Sequence, residues 1–263
     1  MANGAQIEVW RAPPDIAAQW CHEVTSSVPL HLHGGVQVAA LTSGEVDVRV
    51  AGDSHRARAG DLVVLNAEQP HALDAVEGTA VTARIIEVGA SRLGGWLGVA
   101  EPCFRDVVVS EPTLLAALED VHAQLIAGAS QDALEALEDF FGALFGLFGN
   151  LEGGASPSDT RLERVRALLR ERMDQRCRLD ELAEAVNADK FQLVRAFRRR
   201  FGMTPIAYQL QLRVESAKDL IAQGIDLAEV ACRTGFADQS HLSRHFRRIT
   251  LMTPGTYAKQ VNR

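Results

Sequence analysis

The 263-residue sequence predicts two domains of different class: an N-terminal β-barrel or jelly roll followed by two helices, then an all-α domain of two helix-turn-helix units joined by a long helix. Three observations lead there. Short runs of period two, separated by turn residues, fill residues 36–88. The apolar period changes to 3.6 after Pro112. Beyond residue 161 one helical unit occurs twice.

Charge changes sign between the two parts. The chain holds 27 Lys+Arg and 34 Asp+Glu, a formal net charge of −7. Residues 156–263 contain 20 of the basic and 13 of the acidic residues, net +7, leaving 7 and 21, net −14, for residues 1–155. An acidic part joined to a basic one suggests that only the second meets a polyanion; the plain alternative is a merely solvated basic face. The segment Leu-Glu-Gly-Gly-Ala-Ser-Pro-Ser-Asp at 151–159 reads as a flexible linker. The expected division is therefore 1–150, a linker at 151–160, and 161–263. With 47% hydrophobic and 23% charged residues, the chain is globular in composition. Its longest apolar runs, such as Phe140–Phe148, fall short of the roughly 18 residues of a membrane span. No basic stretch leads into an apolar core at the N-terminus. Cys21, Cys103, Cys177 and Cys232 form no CxxC pair. A cytoplasmic protein with no membrane partner is expected.

The N-terminal elements follow in order. Val46, Val48 and Val50 alternate with Asp47 and Arg49, and Ala51-Gly-Asp-Ser54 turns the chain so that His55–Arg58 can return antiparallel. Ala59-Gly-Asp61 turns it again before Leu62–Leu65, and Val81–Val88 supplies another strand. Several short strands at this spacing favour a sandwich or jelly roll. Leu114, Leu115, Leu118, Val121, His122 and Leu125 then share one helical stripe. Leu134, Leu137, Phe141, Leu144, Phe145 and Phe148 share another, which either covers the barrel or forms a dimer contact.

Histidines recur within the strands. His31 and His33 fall on one side of an extended segment, Gln37 follows on the same parity, and Gly44 comes seven residues later. Gly60-Asp61 then leads a strand toward Pro70-His71. This pattern resembles the two short motifs of the cupin superfamily, whose metal-binding members use the matching residues as ligands. Here those are His31, His33, Gln37 and His71, with Gln37 where glutamate is usual and Glu68 where a glycine is expected. Three imidazoles and an amide can hold Zn²⁺, Ni²⁺ or Fe²⁺. The same four residues can instead line an effector pocket by hydrogen bonding, with no cofactor required, and with Trp10 or Trp20 over its mouth.

The C-terminal part is helical throughout. Leu162, Val165, Leu168 and Leu169 form one stripe, and Asp180–Val186 is a short helix. After an Asn187-Ala-Asp189 turn, with Asp189 as N-cap, a basic helix runs from Lys190 to Phe201 and ends at Gly202. Thr204-Pro205 restarts a helix that continues to Gln223. Asp226–Thr234 is short, Gly235-Phe236 turns, Asp238 caps, and Gln239–Arg248 is the second basic helix; Thr253-Pro254 begins the last. Leu193, Arg195, Phe197, Thr204 and Pro205 recur 49 residues later as Leu242, Arg244, Phe246, Thr253 and Pro254. A short helix, a tight turn and a basic helix, made twice, is the helix-turn-helix arrangement.

Leu-Ala-Glu-Val-Ala-(x3)-Gly-Phe-(x3)-Ser-(x3)-Arg-x-Phe-Arg, followed by Thr-Pro and Tyr257, resembles the AraC/XylS family of transcription regulators, with Leu251 where the family usually has a glycine. The resemblance implies that the exposed face of each second helix reads DNA. The matching positions are Lys190, Phe191, Gln192, Val194 and Arg195, then Gln239, Ser240, His241, Ser243 and Arg244. Arg195 and Arg244 can donate to guanine, Gln192 and Gln239 can read adenine, and Val194 can meet a thymine methyl. Arg198, Arg199, Arg247 and Arg248 are better placed for phosphates. Phe191 reads as a DNA contact or as core. The expected protein is a dimeric regulator and not an enzyme. It binds double-stranded DNA and a small-molecule effector, and it meets RNA polymerase if it activates. Two other readings stand beside it: an N-terminal domain that serves only to dimerise, and a metal-dependent enzyme tethered to DNA.

Overall fold

The computed structural model describes residues 6–11, 13, 15–150 and 157–262. Most of the expected linker, 151–156, lies outside the described residues, and its last positions already belong to a helix that starts at Pro157. The chain forms two compact units, one of Met1–Arg49 with Asp53–Leu151, the other covering Glu152–Asn262.

The first unit opens with β1 (Gln6–Arg11), β2 (Ile16–Val24), β3 (Val28–His31), β4 (Gly35–Ser43) and β5 (Glu45–Val50). It continues with β6 (Asp53–Arg58), β7 (Leu62–Leu65), β8 (His71–Ala75) and β9 (Val81–Gly89). Helix α1 (Ala90–Leu97), the two-residue β10 (Val108–Val109), α2 (Pro112–Ala127) and α3 (Gln131–Phe148) complete it.

The expected barrel or jelly roll does not form. The strands divide into a six-stranded sheet, β1-β2-β9-β4-β7-β10, and a four-stranded one, β3-β8-β5-β6. Closing a sheet requires its first and last strands to hydrogen-bond. Here β1 pairs with β2 and β10 with β7, leaving the larger sheet open at both edges. Period-two alternation specifies which side chains are buried, not which strands pair, and β1 and β2 carried no such alternation.

Both faces of β4 are buried, which is why Gly35–Leu41 reads as an unbroken apolar run around Gln37. Val36, Val38 and Ala40, with Ile86 and Val88 of β9, pack against Leu118, Val121, Leu137, Phe141 and Leu144 of α2 and α3. The α3 stripe is therefore mostly core, and Leu147 on its outer side is exposed. Gln37 and Glu87, on the opposite parity, are Cα partners on the other face. Gly44 has φ +80°, and a Cβ there would lie closer than 3.0 Å to the Ala80 carbonyl oxygen. Only glycine fits that motif position.

The second unit contains α4 (Pro157–Glu171), α5 (Leu179–Glu184), α6 (Lys190–Phe201), α7 (Pro205–Ala222), α8 (Leu227–Arg233), α9 (Gln239–Thr250) and α10 (Pro254–Val261). The caps fall where the sequence places them. Asp189 accepts from the amides of Phe191 and Gln192, and Asp238 from that of His241. Thr204 and Thr253 cap α7 and α10, each with proline at the first helical position. Each repeat has its own aromatic centre, Phe197 against Tyr208 at 5.6 Å and Phe246 against Tyr257 at 5.4 Å. Among the described residues no helix is long and apolar enough to cross a membrane, and all four cysteines are free thiols.

Candidate nucleic-acid interface and histidine cluster

The two helix-turn-helix units are held by one set of polar bonds from α7. Arg213 donates from Nε to Met173 O (2.7 Å), from Nη2 to Gln175 O (2.8 Å) and from Nη1 to Gly235 O (2.6 Å). Gln209 donates to Arg172 O at 2.8 Å and Gln175 O at 2.9 Å. The connecting helix thus ties the loop after α4 to the turn between α8 and α9. That turn needs Gly235: its φ is +75°, and a Cβ would clash with the Asp174 carbonyl oxygen. In the first repeat the matching turn residue is Asn187, with φ +49°.

Helices α6 and α9 carry no acidic residue. The six arginines expected there, Arg195, Arg198, Arg199, Arg244, Arg247 and Arg248, are exposed. By contrast, Arg49, Arg56 and Arg92 of the first unit are paired with carboxylates. Lys190 pairs with Asp180 at 3.0 Å. Gln192, Gln239 and Ser240 are exposed, and Val194, His241 and Ser243 are half-buried. Phe191 is 67% exposed, so it is not a core residue; Leu193, Phe197, Leu242 and Phe246 are.

His241 is engaged locally. Its Nδ1 accepts from the Ala237 amide at 3.4 Å, and its ring lies 5.3 Å from Phe236 and 4.7 Å from His245. His245, which the sequence pattern did not single out, is held below its ordinary pKa by burial first, then by Arg248, His241 and Arg244. The i, i+4 spacing of the two histidines was its available signal.

In the first unit, β3 and β8 place His31 and His71 directly opposite each other. His33 follows in the loop before β4, where its carbonyl accepts the Glu68 amide at 2.7 Å. Ring centroids are separated by 4.2 Å (His31–His71), 4.9 Å (His31–His33) and 5.2 Å (His33–His71). One ligand nitrogen from each histidine lies within 4.8 Å of the others, so the three can hold a divalent metal ion. His71 is buried, and its Nε2 has no hydrogen-bond partner. Burial, then His31, holds its pKa well below the usual value.

Gln37 is buried on β4 beside Glu87 of β9. Glu87 is an acidic residue that the motif spacing does not reveal. Its Oε2 lies 3.7 Å from His33 Nδ1, and its Oε1 accepts the Gly35 amide at 3.2 Å. An acid inside the apolar strand Val81–Gly89 was the signal for it. Trp10 does not cover this cluster: it packs into the helix-covered core, edge-on to His122 at 6.4 Å. Trp20, two positions after Ala18 on β2, is exposed and stacks edge-on to His22.

Comparison with known proteins agrees with both halves. Residues 13–144 match the family described as an AraC-like ligand binding domain, and residues 182–260 match a helix-turn-helix domain. The uncharacterized HTH-type transcriptional regulator YbfI of Bacillus subtilis is 26% identical over 232 residues, covering 83% of this chain and 82% of YbfI. The MmsAB operon regulatory protein of Pseudomonas aeruginosa is 31% identical over 101 residues, 38% of this chain and 33% of that protein. A crystal structure of ToxT from Vibrio cholerae superposes with a TM-score of 0.62 at 13% identity, covering 95% of this chain and all of that one, a likeness of fold. With the ligand-binding match spanning half its length and the helix-turn-helix match most of the rest, the chain belongs to the AraC family of DNA-binding, effector-responsive transcriptional regulators, which are not enzymes.

Proposed function

We propose that each chain reads duplex DNA with α6 and α9 together and responds to an effector held at His31, His33, Gln37 and His71. The carrying observation is the pair of acid-free helices, 49 residues apart, with exposed arginines at matching positions. Arginines in a folded protein are ordinarily matched by carboxylates or left to water; six on two capped helices suit phosphates and guanine edges. The connecting helix α7 has 18 residues, about 27 Å at 1.5 Å per residue. Successive major-groove faces are about 34 Å apart. One chain can therefore offer both helices to the same side of a duplex. A second copy of the chain completes the regulator, and RNA polymerase is its partner where it activates.

Selection of duplexes from a random library with the full chain tests this reading. The expected product is a two-part site with half-sites about one helical turn apart, bound with a steep inverse dependence on salt. A single short site, or affinity indifferent to salt, overturns it.

A further inference from the structure

We infer that the loop between α4 and α5 is a further DNA contact, in which Arg176 and Arg178 hold phosphates of the backbone between the two major-groove sites. This rests on the proposal that α6 and α9 read one duplex together, and it names a surface outside both helices.

The loop joins the starts of the two reading helices. At one end, the Asp174 carbonyl lies against Gly235, in the turn that leads into α9. At the other, Asp180 pairs at 3.0 Å with Lys190, the first residue of α6. Helices of this kind present their N-terminal residues to base edges. The chain from Asp174 to Asp180 reaches at most about 20 Å when extended. Successive major-groove faces are about 34 Å apart, separated by a minor groove about 6 Å wide and the two backbones that border it. A segment strung between the starts of α6 and α9 therefore faces those backbones.

Its side chains suit that position. Arg176 and Arg178 flank the buried Cys177, and both are exposed. Among the described residues neither guanidinium has a carboxylate partner. The acids of the loop are engaged elsewhere. Asp180 pairs with Lys190, and Asp174 lies near enough to Arg213 to favour its charged form. Helices α6 to α10 each start at an Asp or Thr whose side chain accepts a backbone amide. Helix α5 instead starts at Arg178, which supplies no such bond. An exposed arginine there forfeits the cap and recovers nothing by packing; a phosphate supplies what it gains.

The backbone is fixed in advance. Gln209 donates to the carbonyls of Arg172 and Gln175, and to Cys177 Sγ at 3.1 Å. Arg213 donates to those of Met173 and Gln175. With the loop held from the α7 side, only two side chains must order on binding, which lowers the entropic cost of the contact. Arginine on a fixed backbone positions a duplex through its phosphates, while sequence is read by the helices in the major groove.

The full chain and its selected duplex test the inference, with the double variants Arg176→Ala/Arg178→Ala and Arg176→Lys/Arg178→Lys. Each phosphate contact contributes about 0.9 to the slope of log affinity against log salt. The alanine pair should lower that slope by about 1.8, so that from about 50 to 200 mM salt it loses about 12-fold less affinity than the wild type. The lysine pair keeps its charge and most of the slope. Base preference in both half-sites stays unchanged. A duplex with neutral methylphosphonate linkages between the half-sites locates the contact: it weakens the wild type and leaves the alanine pair as it was. Circular dichroism verifies folding, and Arg176→Ala and Arg178→Ala alone, each lowering the slope by about 0.9, serve should the pair unfold. An unchanged slope in a folded alanine variant overturns the inference, as do methylphosphonates that weaken wild type and variant alike. If the wild type selects a two-part site and the variant binds it with the same slope, only this contact falls. If the wild type selects no such site, the reading of DNA by α6 and α9 falls with it.

Discussion

Gly235 gives the sharpest test of how the second helix-turn-helix unit is built. Replacing it with alanine has two consequences. Its φ of +75° becomes a left-handed conformation for an ordinary residue, costing about 1–2 kcal/mol. The new Cβ also meets the Asp174 carbonyl oxygen inside the 3.0 Å that real Cβ atoms keep, so the loop after α4 must move. That loop supplies the Met173 and Gln175 carbonyls to Arg213, which also binds Gly235 O. Losing one such charge-assisted bond adds about 1.5–3 kcal/mol. Gly235→Ala is therefore expected to destabilise the unit by about 2.5–5 kcal/mol. Gly224 supplies the control, with φ +78° and open space for 4 Å around the point where a Cβ would stand; Gly224→Ala should cost only about 1–2 kcal/mol. Urea unfolding followed by far-ultraviolet circular dichroism compares the two. Equal losses would refute the argument that the Asp174 contact, rather than backbone conformation alone, demands glycine here.

Arg213→Met removes three donors while keeping most of the side-chain volume; a loss of about 3 kcal/mol or more in the same urea assay is expected, and Arg213→Lys should recover only part of it. Arg195→Ala and Arg244→Ala should each weaken the selected DNA site by about 1–3 kcal/mol and relax its sequence, measured by competition binding, whereas Arg198→Ala should weaken all sequences alike and reduce the salt slope by about 1. His122 donates from Nε2 to Gln19 O at 2.9 Å, and burial, then Arg84, holds its pKa below 6.5. The unfolded chain therefore takes up the proton first, so the contribution is complete above about pH 6.5 and is lost on acidification, with a slope of at most about 1.4 kcal/mol per pH unit. His122→Leu should flatten the fall in thermal midpoint between about pH 7 and pH 5.5.

What could be read from the sequence was local. The bounds of α6 and β7, and the caps at Asp189, Thr204, Asp238 and Thr253, follow from residues within a few positions of each other. Strand pairing depends on distant partners, and there the barrel expectation failed: alternation in β5 says nothing of whether β1 and β10 meet. The site shows the same division. His31, His33 and His71 stood out by spacing, but Glu87 reaches His33 only because β9 lies beside β4. Arg213 and Gln209 looked like ordinary polar positions of a long helix until the loop after α4 supplied their acceptors. Two departures from family patterns prove to be conservative in conformation. Glu68 and Leu251, where glycines were expected, both adopt positive φ, +53° and +62°. Gly202, 49 residues before Leu251, does the same at +73°. The backbone keeps the glycine geometry at about 1–2 kcal/mol per residue, a reserve that Leu251→Gly should partly release.

The paired aromatic centres of the two repeats have a spectroscopic consequence. Tyr208 and Tyr257 are the chain's two tyrosines, one per helix-turn-helix core, and Trp10, Trp20 and Trp96 all belong to the first unit. The protein thus carries separate intrinsic chromophores for its three working parts. Indole emission reports the ligand-binding unit, and Tyr208→Phe or Tyr257→Phe leaves a phenol in one repeat alone. Effector uptake and the loosening of either DNA-reading repeat can be followed in the same cuvette, without an added dye.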